Sequence, residues 1–119
     1  MVAINFKKEF AGDVERGAKR QTIRATARCK RGDRLQLYTG MRTKSCRKLV
    51  EPDPVCRSVQ PITVAANYIS LGGHVLNGTD ELEAAQLDGF SCTEEFRGFF
   101  EKQYGLPFDG FLIKWEPVK

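Results

Sequence analysis

Apolar positions along the chain recur at two different periods, and the switch between them divides it into elements. Residues 2–6, VAINF, read as a short first strand. Phe6, Phe10 and Val14 then recur every four residues, as one face of a short helix that ends near Gly17. From residue 22 to 28 the pattern alternates: Thr22, Arg24, Thr26 and Arg28 share one face of a strand, and Ile23, Ala25 and Ala27 the other. Residues 30–33, KRGD, make a turn, and residues 34–39 alternate again with Leu35 and Leu37 inward. Gly40 opens a turn that leads into a further strand ending near Leu49. Pro52 and Pro54 mark a loop before VCRSV and ITVAA, two more short strands, and Gly72-Gly73 turns a hairpin between YISL and HVL.

The period then becomes helical. Thr79 or Asp80 caps a short helix with an acidic first turn (Asp80, Glu81, Glu83), which suits the helix dipole, and Asp88-Gly89 breaks it. Ser91-Cys92-Thr93-Glu94 matches a capping box for another helix, along which Cys92, Phe96, Phe99, Phe100 and Tyr104 form an apolar stripe up to Gly105 and Pro107. The last run, GFLIKW, is a strand with Phe111, Ile113 and Trp115 on one face. These residues, with Phe96, Phe99 and Phe100, are the expected core. Six or seven short strands and about three helices predict an α+β domain, a small, mostly antiparallel barrel with helices at its ends.

Length and composition fit that picture. A chain of 119 residues makes one domain, 1–119, and 41% hydrophobic with 29% charged residues excludes disorder and fibrous structure. No run approaches the ~20 apolar residues of a membrane span, and MVAINFKKEF has no hydrophobic signal region, so a cytoplasmic, soluble monomer is expected. Cys29, Cys46, Cys56 and Cys92 form no CxxC pair and His74 is the single histidine, so free thiols are expected, with neither metal nor cofactor. Cys46 and Cys56 are placed to face each other across two strands. No phosphate-binding GxxxxGK or GxGxxG follows a strand, and Gly72-Gly73 does not resemble one.

Charge changes the picture more. Residues 1–60 carry fifteen Lys and Arg against six Asp and Glu, whereas residues 61–119 carry four against nine. Between Arg16 and Lys48 there are twelve basic residues and one acid, Asp33. Like charges at that density repel unless a polyanion offsets them, which points to a phosphate-bearing partner, nucleotide or RNA.

The segment Gly17-Ala18-Lys19-Arg20-Gln21-Thr22-Ile23-Arg24 carries the candidate chemistry. Gly17 frees the helix end, so Lys19 lies in a loop from which it can reach back over the strand face that carries Thr22 and Arg24. A threonine hydroxyl is a weak nucleophile and needs a base beside it. A lysine serves as that base only if its pKa falls, which burial and neighbouring cations such as Arg24, Arg28 or Arg42 favour. The plain alternative is an exposed lysine beside a strand threonine.

GAKRQTIR followed by GDRLQLYTGMRTKSCRKL resembles the signature of the ASCH domain family, within the PUA-like superfamily of small mixed β-barrels. Gly17, Lys19, Thr22 and Arg24 match its first motif, and Gly32-Asp33 the turn before its central strand. AAQLDGF, EEF at 94–96, Tyr104-Gly105 and the closing FLIKW match later parts in order, so the resemblance covers nearly the whole chain. It implies a cleft beside the barrel that binds RNA or modified nucleotides. One branch of small ASCH proteins hydrolyses the acetamide of N(4)-acetylcytidine with a lysine, a threonine and a glutamate. Lys19 and Thr22 match the first two, and the third position falls on Asp88, one methylene shorter.

The roles this resemblance implies are Thr22 as nucleophile, Lys19 as base, Asp88 as orienter or proton shuttle, and Arg24 holding an oxyanion or a phosphate. Asp88 reads equally as the carboxylate of an Asp-Gly turn. Arg28, Tyr38 and Arg42 are further contacts for substrate or RNA, Tyr38 by stacking on a base. Three functions are thus in view: an amidohydrolase acting on N(4)-acetylcytidine, a non-catalytic RNA-binding module using the same cleft, and a ribonuclease.

Overall fold

A computed structural model describes residues 2–118. Its elements run β1 (Val2–Phe6), α1 (Lys8–Glu15), β2 (Gln21–Arg24), β3 (Leu35–Thr39), β4 (Arg47–Lys48), β5 (Val55–Val64), β6 (Ile69–Leu71), β7 (His74–Val75), α2 (Gly78–Leu87), α3 (Thr93–Tyr104) and β8 (Phe108–Glu116). The strands form a three-stranded sheet, β1-β3-β4, and a five-stranded sheet, β2-β8-β5-β6-β7. Among the described residues only β1 and β3 pair in parallel, and one isolated bridge, between Arg34 and Val55, links the two sheets. The protein is therefore a small, mostly antiparallel α+β domain with three helices. No helix among the described residues is long and apolar enough to cross a membrane.

Two apolar clusters hold it together, and β8 supplies both. Ile113 and Trp115 pack with Ile4, Phe6, Val14, Leu35 and Leu37 beneath α1. Phe108 and Leu112, on the opposite face of the strand, pack with Ile62, Val64, Ile69, Phe96 and Phe100 beneath α2 and α3. Alternate residues of one strand thus face two cores. Phe111, on the Ile113 face but at the edge, is half-buried, as is Phe99.

Several elements depart from the pattern in the sequence. β2 stops at Arg24, so Thr26 and Arg28 leave the face that Thr22 and Arg24 share. The two strands expected at VCRSV and ITVAA are one, β5, running through Pro61. Pro61 is tolerated because its carbonyl, which accepts from Gly72 N–H, points to the side where β6 has already ended at Leu71. The missing N–H on that side faces Gly72, which is exposed in the hairpin turn, so no buried acceptor is left unpaired. The strand expected to end at Leu49 shrinks to the two residues of β4.

The caps shift as well. Asn77, not Thr79 or Asp80, caps α2, its side-chain oxygen accepting from Asp80 N–H at 2.8 Å. α3 begins one residue later than the capping box implies, and the Glu95 carboxylate, not that of Glu94, takes both the N–H and the hydroxyl of Ser91. All four thiols are free. Cys46 is exposed and Cys56 buried, and the neighbour of Cys56 is Cys29. That contact and burial, the larger cause, push the Cys56 thiol up to about 11.

Candidate active site

Two helix ends deliver the chemistry. α1 closes with Gly17 at φ 80°, its N–H bonded to Val14 O and that of Ala18 to Asp13 O. α2 closes the same way: Gly89 sits at φ 99°, with its N–H on Gln86 O and that of Phe90 on Ala85 O. Both are Schellman turns, whose left-handed residue is nearly always glycine because a Cβ clashes there. The first throws Lys19 inward just after α1, and the second fixes Asp88 as the C-cap residue that follows Leu87 at the end of α2.

The two side chains meet out of water. Lys19 Nζ lies 3.2 Å from Asp88 Oδ1, and it also donates to the Asp88 carbonyl at 2.5 Å. In doing so the ammonium caps the C-terminal end of α2, where the helix dipole favours a cation. Gln21 donates from Nε2 to the same carboxylate oxygen at 3.3 Å and to Ala84 O at 3.4 Å. Lys19, Gln21, Thr22 and Asp88 are each at most 5% exposed. The exposed lysine that a loop position allows is thus excluded.

Burial penalises the charged form of both partners. It lowers the pKa of Lys19 and raises that of Asp88, and the attraction between the two opposes both shifts. Arg24, a nearby like charge, pushes Lys19 further down.

Thr22 and Arg24 stand on one face of β2. Arg24 Nε donates to Thr22 Oγ1 at 3.1 Å, a nitrogen of its guanidinium donates to Asn5 O at 2.7 Å, and the group lies 5.2 Å from the Phe6 ring centre. Lys19 Nζ similarly lies 5.0 Å from the Phe10 ring centre. No hydrogen bond joins Lys19 to Thr22 among the described residues: the amine is engaged by Asp88.

These groups line one cleft of about 130 Å³, bounded on one side by the last turns of α3. Pockets that enclose a whole drug-sized ligand measure roughly 300–1,000 Å³, so this one admits a ring-sized group. Of the candidate contacts, Lys19, Thr22, Arg24 and Asp88 come together in it, and Arg28, Tyr38 and Arg42 do not line it. Arg28 is exposed beyond the end of β2. Tyr38 is half-buried on β3 between Asn5 and Lys48. Arg42 is exposed in the β3–β4 loop, where it takes a left-handed φ of 68°. That loop is pinned to the cleft edge by Met41 N–H donating to Asn5 Oδ1 at 3.0 Å.

Other residues of the cleft were not legible in the sequence. Tyr104, at the end of the aromatic stripe, is 51% exposed and stacks on Phe108 at 4.5 Å, so one ring face is available at the mouth. Gln103 lies beside it, its Oε1 accepting from Lys7 Nζ at 3.1 Å across the cleft. The place of Tyr104 next to the helix-ending Gly105 was the one available hint. Nothing marked Gln21 or Gln103.

Among the described residues no three His, Cys, Asp or Glu side chains converge as a metal site does. No family model, curated protein or solved structure matches the chain.

Proposed function

We propose that the protein is an ASCH-type domain of PUA-like architecture whose cleft binds an N(4)-acylated cytosine and hydrolyses its amide. The observation that carries this reading is the buried Lys19–Asp88 pair beside Thr22, in a cleft sized for one base. Neutral lysine is a competent base, and burial is what lowers its pKa toward working pH.

In this mechanism Thr22 Oγ1 attacks the acetyl carbonyl carbon while the Lys19 amine takes the hydroxyl proton. Collapse of the tetrahedral intermediate breaks the C–N bond, the proton passes from Lys19 to the departing N4, and cytidine leaves. Water then adds to the acetyl-Thr22 ester with Lys19 again as base, releasing acetate and restoring the hydroxyl. Asp88 holds the Lys19 ammonium that forms in each half-reaction. Arg24, already on Thr22 Oγ1, favours the oxygen as it gains negative charge. Tyr104 offers a face for the base to stack on.

A second reading, a cleft that binds the nucleotide without cutting it, is favoured by one observation: Lys19 Nζ is committed to Asp88 and makes no hydrogen bond to Thr22. Incubation of pure protein with N(4)-acetylcytidine, followed by chromatography, separates the two. Hydrolysis gives cytidine and acetate, and Thr22→Ala abolishes it. Binding without product over hours supports the second reading.

A further inference from the structure

On the other side of β2 from the cleft lies a second concavity, of about 360 Å³, to which the reaction assigns no role. Gly17, Ala18 and Leu87 form its wall, and Arg20, Arg57 and Lys114 converge on it. Among the described residues none of these three cations takes part in an ion pair. Arg20 Nε donates to Gly17 O at 3.2 Å, which holds its guanidinium over the hollow. Glu116 is the one acid on the concavity.

The backbone contributes to this convergence. Gln21 pairs with Lys114, and Lys114 with Ser58, so these three occupy one row across β2, β8 and β5. Arg57 falls at the irregularity where the register slips between Cys56 and Ser58. In a regular strand Arg57 and Ser58 point to opposite faces. A bulge puts an extra residue opposite one partner and re-aims its side chain. Arg57 and Lys114 consequently line the same hollow. Arg20, in the loop that has just delivered Lys19, completes it.

We infer that this groove is a second binding site, for the phosphodiester backbone of an RNA strand. Three unpaired cations against one acid are complementary to a row of phosphates. Their long, solvated side chains suit a flexible strand and make no closed cage for one small anion. The groove is one side-chain layer from the cleft: Gln21 lines it and also holds the Asp88 carboxylate. The inference stands whether or not the cleft is catalytic.

The test is fluorescence polarisation of a labelled, unmodified single-stranded RNA against the whole protein, titrated with salt. Wild type should bind, and log K should fall linearly with log salt. The triple variant Arg20→Ala/Arg57→Ala/Lys114→Ala should lose at least tenfold in affinity, with a slope shallower by about 2, since each phosphate contact on a single strand contributes ~0.7. The control Lys8→Ala/Lys102→Ala, on α1 and α3, should bind like wild type. The probe carries no acetylcytidine, so hydrolysis is no part of the readout, which separates a failure of the hydrolase from a failure of the groove. Should the triple variant not fold, Arg57→Gln alone should still lower affinity and slope. Unchanged affinity in folded triple variant overturns the inference, and so does saturable binding of tripolyphosphate by a wild type that binds no RNA.

Discussion

Lys19 Nζ and Asp88 Oδ1 sit 3.2 Å apart with 4% and 6% of their side chains exposed, so each charge depends on the other to remain in the interior. Removing one partner of such a pair strands the other, at a cost of about 3–5 kcal/mol, whereas removing both together is far milder. Lys19→Met and Asp88→Leu should therefore each lower stability in urea by that order, and Lys19→Met/Asp88→Leu should recover much of the loss. A double variant as unstable as the summed singles would show that the pair is not coupled. An activity loss in Lys19→Met must accordingly be read beside its unfolding curve. Thr22→Ala, with no buried charge at stake, is the cleaner test of chemistry.

The aspartate at position 88 reaches its partners as it stands: Lys19 at 3.2 Å and Gln21 at 3.3 Å. An added methylene must move the carboxylate off these contacts, in a site only 4% exposed. Asp88→Glu should destabilise by about 1–3 kcal/mol, the usual cost of overpacking, and should lower turnover. Higher turnover in Asp88→Glu would mean that the carboxylate works further out in the cleft than the structure places it.

The dependence of turnover on pH follows from the sign of the Lys19 shift. Burial places its pKa below the ordinary 10.5, and the base must be the free amine. The rate should thus rise with pH through the lowered pKa and level off before 10.5. Stability moves in the same direction on this account, because in that window the unfolded lysine holds a proton that the folded one has lost. Asp88 acts oppositely: its raised pKa contributes stability at low pH that is lost as pH rises through the folded value. Rate profiles of wild type and Arg24→Gln should differ, the variant's rise moving to higher pH with the like charge gone. Coincident profiles would remove Arg24 from the electrostatics of Lys19.

Gly89 holds φ 99° immediately after Asp88. A Cβ there would meet Phe10 and Lys19 at 3.5–3.6 Å, which is ordinary contact, so the penalty of Gly89→Ala is the backbone strain alone. That should amount to about 1–2 kcal/mol. Thermal unfolding measures it, and a loss of activity at temperatures where the variant remains folded would show that the turn also aims Asp88.

The sequence pattern located most elements because local rules decided them. Val2–Phe6, Leu35–Thr39 and the aromatic stripe from Phe96 onward carry their period openly, and the glycine ends of α1 and α2 fall where Gly17 and Gly89 stand. What the pattern missed was decided by contacts remote in sequence. β5 runs unbroken past Pro61 because of where β6 happens to stop, and β8 is buried on both faces because it divides two cores. Of the residues that line the cleft, Lys19, Thr22 and Arg24 were legible in the alternation and the glycine break of the sequence, and Asp88 only through a family resemblance. The burial of Lys19 was not, since a lysine in a loop looks exposed until α2 is packed over it. Tyr38, on an inner strand, does not line the cleft, whereas Tyr104, where α3 ends, does.

Thr22 has Ile113 as its strand neighbour, and Gln21 has Lys114. The short β2 therefore has no sheet to join until nearly the whole of the described chain has been made, and α1 with its loop must wait beside it. Contacts of such long sequence separation close slowly, because the entropy of the intervening loop is lost before any pairing offsets it. During synthesis β2 and the loop before it, with Arg16, Lys19, Arg20 and Arg24, are thus left unpaired for longest. Repulsion among its own cations keeps that segment extended and hydrated until β8 arrives, which protects an otherwise open strand edge from pairing with another nascent chain.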